Sequence, residues 1–392
     1  MHYTFFISNK KQVAKFTFTR VLPLLHLSFY ILYFTFESTA QSLKGITFEP
    51  NLHYGRIIKH NAKFTTDVTG NTFGIELNLI KKTYGKQAWQ AHQGYPSFGV
   101  AMSYFNFGDK EVFGTAVAAM PNFTFKFWEK KRLHTHFRVG VGVAYLNQPY
   151  NVADNTLNNV IGSHINGIVG FRFGTGYRLN EKWTLQSSFS FTHFSNGAST
   201  LPNLGLNVPA LNLGVTYIPQ PLQKQDFISA STPRKRDPKI QFSVMQAFAL
   251  TETITLGGPK YPVHITAVSV GRNLGYANRM WAGLEYEFNY AVYDFMNHIG
   301  QFPTQEQRRR NASRAMIFVA DEVTLGNASM WFQAGTYLTR SFLQPGVIYT
   351  KFGVRYYFRF KDATRPNLHL GVYMKSHAAI AEYMSFGLGV GF

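Results

Sequence analysis

His193 and Ser195 are two residues whose types and spacing suit acyl-transfer chemistry. In the stretch 183–195, Trp183, Leu185, Phe189, Phe191, His193 and Ser195 share one parity, while Thr184, Gln186, Ser188, Ser190 and Thr192 share the other. Successive side chains of a strand point to opposite faces, so positions i and i+2 lie side by side, about 6–7 Å apart along the chain. Side chains leaning together across that gap bring a serine hydroxyl within reach of an imidazole nitrogen, the nucleophile–base arrangement. If the apolar parity faces lipid, as in a membrane barrel, both polar residues point out of the barrel. A polar pair on a lipid-facing stripe is costly and marks a functional site. The plain alternative is that the strand has left the hydrocarbon zone by position 193, so that both residues meet headgroups and water.

Other chemistry is thin. The chain has no cysteine, which excludes disulfides, thiolate metal sites and a cysteine nucleophile. His134 and His136 share a face with Arg138, but no third metal ligand is near in sequence, so lumen histidines are expected. Glu285 and Glu287 are paired carboxylates on one face, and a salt-bridge network with Arg355 and Arg359 is expected in preference to a glycosidase pair. Arg308, Arg309, Arg310 and Arg314 read as charges on a long loop. Lys130, Lys131 and Arg132, like Arg234, Lys235 and Arg236, read as loop charges on the opposite side. No G-x-S-x-G elbow, P-loop or dinucleotide fingerprint stands in context, and neither a metal nor any other cofactor is expected.

The elements that must position the pair are strands. Alternation dominates: Leu133, Phe137, Val139, Val141, Val143 and Tyr145 oppose His134, His136, Arg138, Gly140, Gly142 and Ala144. Met280, Leu284, Tyr286, Phe288, Tyr290 and Val292 oppose Glu285, Glu287 and Asn289, and the C-terminal Met384, Phe386, Leu388, Val390 and Phe392 oppose Ser385, Gly387, Gly389 and Gly391. The runs are roughly 10–15 residues, longer than the usual soluble strand of about 5–6. Aromatics gather at the run ends, and the minor face is Gly, Ser, Thr, Arg, Glu and Asn, which suits girdles around a polar lumen. The fold expected is all-β, a transmembrane antiparallel β-barrel of about 14–16 strands, with candidate strands near 45–58, 71–84, 96–108, 112–127, 132–147, 160–179, 182–196, 207–219, 238–250, 261–275, 278–292, 313–326, 329–342, 346–360, 366–376 and 380–392. Ahead of it, Lys10, Lys11, Lys15 and Arg20 precede an apolar stretch Val21–Phe36 and the small residues Ser38 and Ala40, the pattern of a cleaved signal peptide over 1–40. Residues 41–392 are expected to form a single outer-membrane barrel, and 220–238 is read as a long loop within it.

The remaining composition fits. Of 392 residues, 16% are aromatic and only 15% charged, which excludes disorder. The formal charge of +19 falls to +16 once 1–40, with four basic residues and Glu37, is removed. The basic residues are dispersed along an exported chain, so nucleic acid is not an expected partner; a phosphorylated lipid is. If the N-terminus is periplasmic and 182–196 is the seventh strand, His193 and Ser195 lie near the extracellular end.

The segment His193-Phe194-Ser195-Asn196-Gly197-Ala198, followed by Pro202-Asn203-Leu204-Gly205-Leu206-Asn207, resembles the lipid A 3-O-deacylase (acyloxyacyl hydrolase-like) family of outer-membrane esterases, whose signature is H-x-S-N, then P-N-x-G-[IL] and an acid. The resemblance is specific over 193–207, looser over 96–219, and is not expected to extend past about 220, because simple family members are small eight-stranded barrels. It implies Ser195 as nucleophile, His193 as general base, and Asn196 with the Gly197 amide as the oxyanion hole. The family's usual glutamate is replaced by Asn207, which can orient the imidazole but adds no charge. The implied activity is carboxylic ester hydrolysis on lipid A or lipopolysaccharide in the bacterial outer membrane. The alternative is a non-enzymatic porin or transporter barrel carrying a degenerate motif. Oligomeric state is not fixed by these residues.

Overall fold

The structure is a computed structural model and describes residues 43–392, apart from 230–238, 253–255, 276, 345, 359–366 and 378–379. The signal segment expected over 1–40, the basic run 234–236 and Arg359 lie outside the described residues. The strands are β1 (Ile46–Gly55), β2 (Thr72–Lys82), β3 (Ser97–Asn106), β4 (Thr115–Lys130), β5 (Leu133–Leu146), β6 (Ile165–Arg178), β7 (Trp183–Ser195) and β8 (Leu206–Tyr217). They continue as β9 (Ile240–Glu252), β10 (Lys260–Asn273), β11 (Asn278–Asn289), β12 (Ser313–Leu325), β13 (Ala328–Tyr337), β14 (Ile348–Phe358), β15 (Asn367–His377) and β16 (Ile380–Gly391). Each falls on a run that the alternation marks. Among the described residues no helix is long and apolar enough to cross a membrane.

The closure differs from expectation. β8 turns back to pair with β1, Leu52 opposite Leu213 and Tyr54 opposite Leu211. β16 pairs with β9, Phe386 opposite Phe248 and Val390 opposite Val244. The sixteen strands therefore form two closed barrels of eight, β1–β8 and β9–β16, where a single barrel was expected over 41–392. The reason is physical: a period of two reports which face of a segment is apolar, but pairing partners are set by closure, and either ring satisfies every strand edge. The segment 220–238, read as a loop inside one barrel, falls between the last strand of the first ring and the first strand of the second.

The parities hold. In β7 the side chains of Thr184, Ser188, Ser190, Thr192 and Phe194 are buried, while Trp183, Leu185 and Phe189 are exposed. An eight-stranded barrel is just wide enough for its interior to be filled by side chains. In the first barrel that filling is ionic: Arg138 pairs with Glu49 and, at 3.2 Å, with Glu76, and Arg172 reaches Glu76 at 2.8 Å. In the second, Glu285 pairs with Lys351 at 2.5 Å, and Glu287 holds Arg314 at 3.0 Å and Lys375 at 2.6 Å. The carboxylates thus face the lumen as expected, but their partners are Lys351, Arg314 and Lys375, while Arg355 instead stacks 3.4 Å over Trp331 and donates to Tyr373 Oη. Glu382 joins the cluster at 3.2 Å from Lys375 because a bulge in β16 turns it inward.

Among the described residues three α-helices decorate the rings: α1 (Ala88–His92), α2 (Tyr290–His298) and α3 (Gln305–Ala312). Asn289 caps α2 through the amides of Ala291 and Val292, and Thr304 with Gln307 forms a capping box on α3. Arg308, Arg309 and Arg310 accordingly lie on a helix and not on an open loop, and Arg314 points into the lumen. In the first barrel the segments 56–71, 107–114, 147–164 and 196–205 gather at the rim where β7 ends, while 131–132 and 179–182 are short turns at the other rim.

Candidate active site

At the long-loop rim the connections fold inward and build an apolar plug, with Phe64, Phe107, Phe113, Val160 and Ile161 all buried beside Phe105 and Leu206. Phe194 belongs to this plug. It is fully buried, its ring edge-on to Phe105 at 5.5 Å and to Phe107 at 5.4 Å. Because Phe194 must point inward, its neighbours His193 and Ser195 must point outward. The aromatic pocket therefore sets the orientation of Phe194, with His193 and Ser195 on the opposite parity of β7, although Ser195 is itself buried and interrupts the alternation of exposure there.

His193 stands opposite Asn207 in the β7–β8 register, and its Nδ1 lies 2.5 Å from Asn207 Oδ1. An amide oxygen only accepts, so Nδ1 carries the proton and Nε2 keeps its lone pair. His193 is partly buried, whereas Ser195 is 1% exposed. The hydrogen bonds of Ser195 Oγ run to Asn203, 3.2 Å from Oδ1 and 3.1 Å from Nδ2, and Gly197 N–H donates to the same oxygen at 3.2 Å. None joins Ser195 to His193 in this state. The Asn203 amide is oriented by the Asn196 N–H, which donates to its Oδ1 at 2.9 Å, so its Nδ2 is the edge that donates to Ser195.

The five residues singled out in the sequence thus gather at one end of β7 and the start of β8, with different surroundings. Asn196 Nδ2 donates to Ser163 Oγ at 2.9 Å and to the Thr200 carbonyl at 2.8 Å, so its side-chain amide is engaged within the loops. Gly197 N–H is left aimed at Ser195. Asn203, quoted above as part of the motif but given no role, is the residue in direct contact with the serine; its pairing with Asn196 and Ser195 across a loop of seven to eight positions is a tertiary fact that strand parity does not carry. Gly205 has φ +82°, and a Cβ there would stand 2.6 Å from His193 Cε1. A glycine at this place is required twice, for the left-handed backbone and for the imidazole's seat.

The neighbouring loop 56–71 closes the site on the β8 side. Ile58 N–H donates to the Asn207 carbonyl at 3.0 Å, and His60 Nε2 lies 3.0 Å from the Leu204 carbonyl. Arg56, Lys59 and Lys63 accompany it, exposed. His134 and His136, by contrast, face the first lumen, their ring centroids 6.0 Å apart, and no group of metal-ligating side chains occurs among the described residues.

Comparison with known proteins gives two adjoining matches. Residues 73–216 match the family model described as lipid A 3-O-deacylase (PagL), and residues 240–392 match that described as acyloxyacyl hydrolase, C-terminal domain. The second match corrects the expectation that the likeness stops near 220. No curated protein matches the chain. Among solved structures, the crystal structure of the outer membrane enzyme PagL is 17% identical and covers 44% of this chain and 99% of its own, with a TM-score of 0.32. Neisserial surface protein A is 8% identical over 44% of this chain and 97% of its own, with a TM-score of 0.32. Acinetobacter baumannii OccAB1 is 11% identical over 88% of this chain and 95% of its own, with a TM-score of 0.24. Each barrel thus carries its own family match, the first to lipid A 3-O-deacylase and the second to the acyloxyacyl hydrolase C-terminal domain, and the chain is similar to that family of outer-membrane β-barrel proteins.

Proposed function

We propose that the protein is an outer-membrane serine esterase that removes an ester-linked 3-hydroxyacyl chain from lipid A or a related lipopolysaccharide. The observation that carries this reading is the outward His193–Ser195 pair, its imidazole held by Asn207 at 2.5 Å and two N–H donors aimed at Ser195 Oγ. The hydroxyl turns from Asn203 Oδ1 toward His193 Nε2, which takes its proton as Oγ attacks the ester carbonyl. Hydrogen bonds of this kind are often long in the free enzyme and tighten with substrate. Gly197 N–H and Asn203 Nδ2 stabilise the tetrahedral oxyanion, while Asn196 braces the loop that carries them. Collapse expels the glycan hydroxyl, which takes the proton from His193. Water, activated by the same imidazole, then hydrolyses the acyl-serine and releases a free hydroxy acid.

The substrate class follows from the setting. On this reading the pair, on the outer parity of β7 at the rim of long loops, receives its substrate from the bilayer, and in outer-membrane barrels that rim is the extracellular one. Arg56, Lys59 and Lys63 beside it suit a phosphorylated headgroup. A pore reading is opposed by both lumens, which are filled with buried ion pairs. Mass spectrometry of lipid A from cells producing the wild type and Ser195→Ala tests the proposal. Loss of one hydroxyacyl chain with the wild type alone is expected, and an acyl pattern identical to that of cells lacking the protein overturns it.

A further inference from the structure

The second barrel touches the loop that carries the catalytic donors. Glu252 ends the outward stripe of β9, after Phe242, Val244, Phe248 and Leu250, yet it is only 6% exposed where those side chains are open. Its carboxylate accepts the Leu201 N–H of the first barrel's loop 196–205. At the same place Thr251 Oγ1 donates to the Ala198 carbonyl at 3.3 Å, and Glu252 N–H donates to that carbonyl at 3.4 Å. On the other side of the loop, Gly197 lies against β16, where a Cβ would stand 2.6 Å from Met384 Cβ, and its φ of +62° is one glycine adopts freely.

These contacts bracket the working part of the loop. Gly197 supplies an N–H to Ser195 Oγ, and Asn203, two residues beyond Leu201, supplies another. A carboxylate placed on a lipid-facing stripe is costly unless it is used, and here it is spent on one backbone amide of the neighbouring ring. We propose that the second barrel is a working part of the active site, with Glu252 as a positioning residue that clamps the 197–203 loop and so holds the donors of Gly197 and Asn203 on Ser195. This rests on the esterase reading for its consequence in catalysis, though the clamp itself does not. It gives the extra eight strands a use: the small first barrel carries the reacting residues, and the second sets their donors.

The test compares Glu252→Ala with Glu252→Gln in the full-length protein, reconstituted in lipopolysaccharide-containing vesicles. The glutamine keeps an oxygen that accepts the Leu201 N–H, whereas alanine removes it. Two readouts are taken: hydrogen exchange of the 197–204 amides, and initial rates of acyl release. For Glu252→Ala, at least tenfold faster exchange is expected at Leu201 and its neighbours. The same variant should show a ten- to hundredfold lower kcat with little change in KM, and Glu252→Gln should stay within a few-fold of wild type in both. Unchanged exchange in Glu252→Ala overturns the clamp whether or not the protein is an esterase. Altered exchange with unchanged or raised kcat overturns its catalytic role. A wild type that releases no acyl chain while Glu252→Ala loosens the loop overturns the esterase reading and leaves the clamp standing.

Discussion

Asn207 is the informative position for the proposed mechanism, because it occupies the place of an acid. Its Oδ1 lies 2.5 Å from His193 Nδ1. As a neutral acceptor it fixes the tautomer, a contribution of about 0.5–1.5 kcal/mol for an ordinary hydrogen bond. When Nε2 takes the serine proton the ring becomes cationic, and a carboxylate at the same place would hold it by a charge-assisted bond worth about 1.5–3 kcal/mol. The difference, about 1 kcal/mol, acts only on the transition state and intermediate. At 1.36 kcal/mol per tenfold it corresponds to roughly a fivefold rise in kcat. Asp is isosteric with Asn, so Asn207→Asp should release acyl chains about fivefold faster at neutral pH, with KM nearly unchanged. Asn207→Leu removes the acceptor while keeping bulk, which leaves Nδ1–H unpaired and the ring free to adopt the other tautomer. A loss of roughly 10- to 100-fold in kcat is expected. The assay is the initial rate of hydroxy-acid release from lipid A in mixed micelles. Asn207→Leu acting at the wild-type rate, with Asn207→Asp no faster, would refute the assignment of His193 as a base oriented by Asn207.

Gly205→Ala should suppress activity at least 100-fold while both barrels still fold, because a Cβ 2.6 Å from His193 Cε1 must push the imidazole off its seat and the φ of +82° costs a side chain about 1–2 kcal/mol; heat-modifiable mobility on gels checks folding beside the rate. Glu76→Ala strips the carboxylate that Arg138 and Arg172 share in the first lumen and should destabilise that barrel by about 3–5 kcal/mol, read from urea unfolding in lipid vesicles, with an unshifted midpoint counting against the lumen network as a stabilising element. Lys375→Met removes one of the two cations, the other being Arg314, that Glu287 and Glu382 share in the second lumen, and should lower the second barrel's stability by a similar amount of about 3–5 kcal/mol while leaving the first barrel's unfolding unchanged.

How much of this was legible in the sequence depends on the range of the interaction. Alternation located the strands to within a few residues, since a barrel strand needs one apolar face along its whole length and the signal is local. His193 and Ser195 were legible for the same reason: they interrupt an apolar parity with polar groups. The partner of Ser195 was not. Asn203 lies across a loop, and its contact depends on how 196–205 folds, which no period encodes. Closure was invisible for a related reason, because Leu52 meeting Leu213 is a choice among many equally apolar edges. Glu252 was hidden twice over: it ends an ordinary-looking strand, and its partner Leu201 belongs to a different ring.

The two closures bear on how the chain is assembled. A ring of sixteen would keep a strand edge open until the last residues arrived, whereas here β8 can seal against β1 before anything beyond Tyr217 is needed. Ser195 and His193, the proposed nucleophile and base, then stand on a ring that is already closed, and the second ring is a tethered neighbour. Because both rings belong to one chain, the meeting of Glu252 with Leu201 is an intramolecular event at a high effective concentration. The 196–205 loop thus receives its Glu252 contact only once the second ring has closed, an event separate from the closure that pairs β8 with β1.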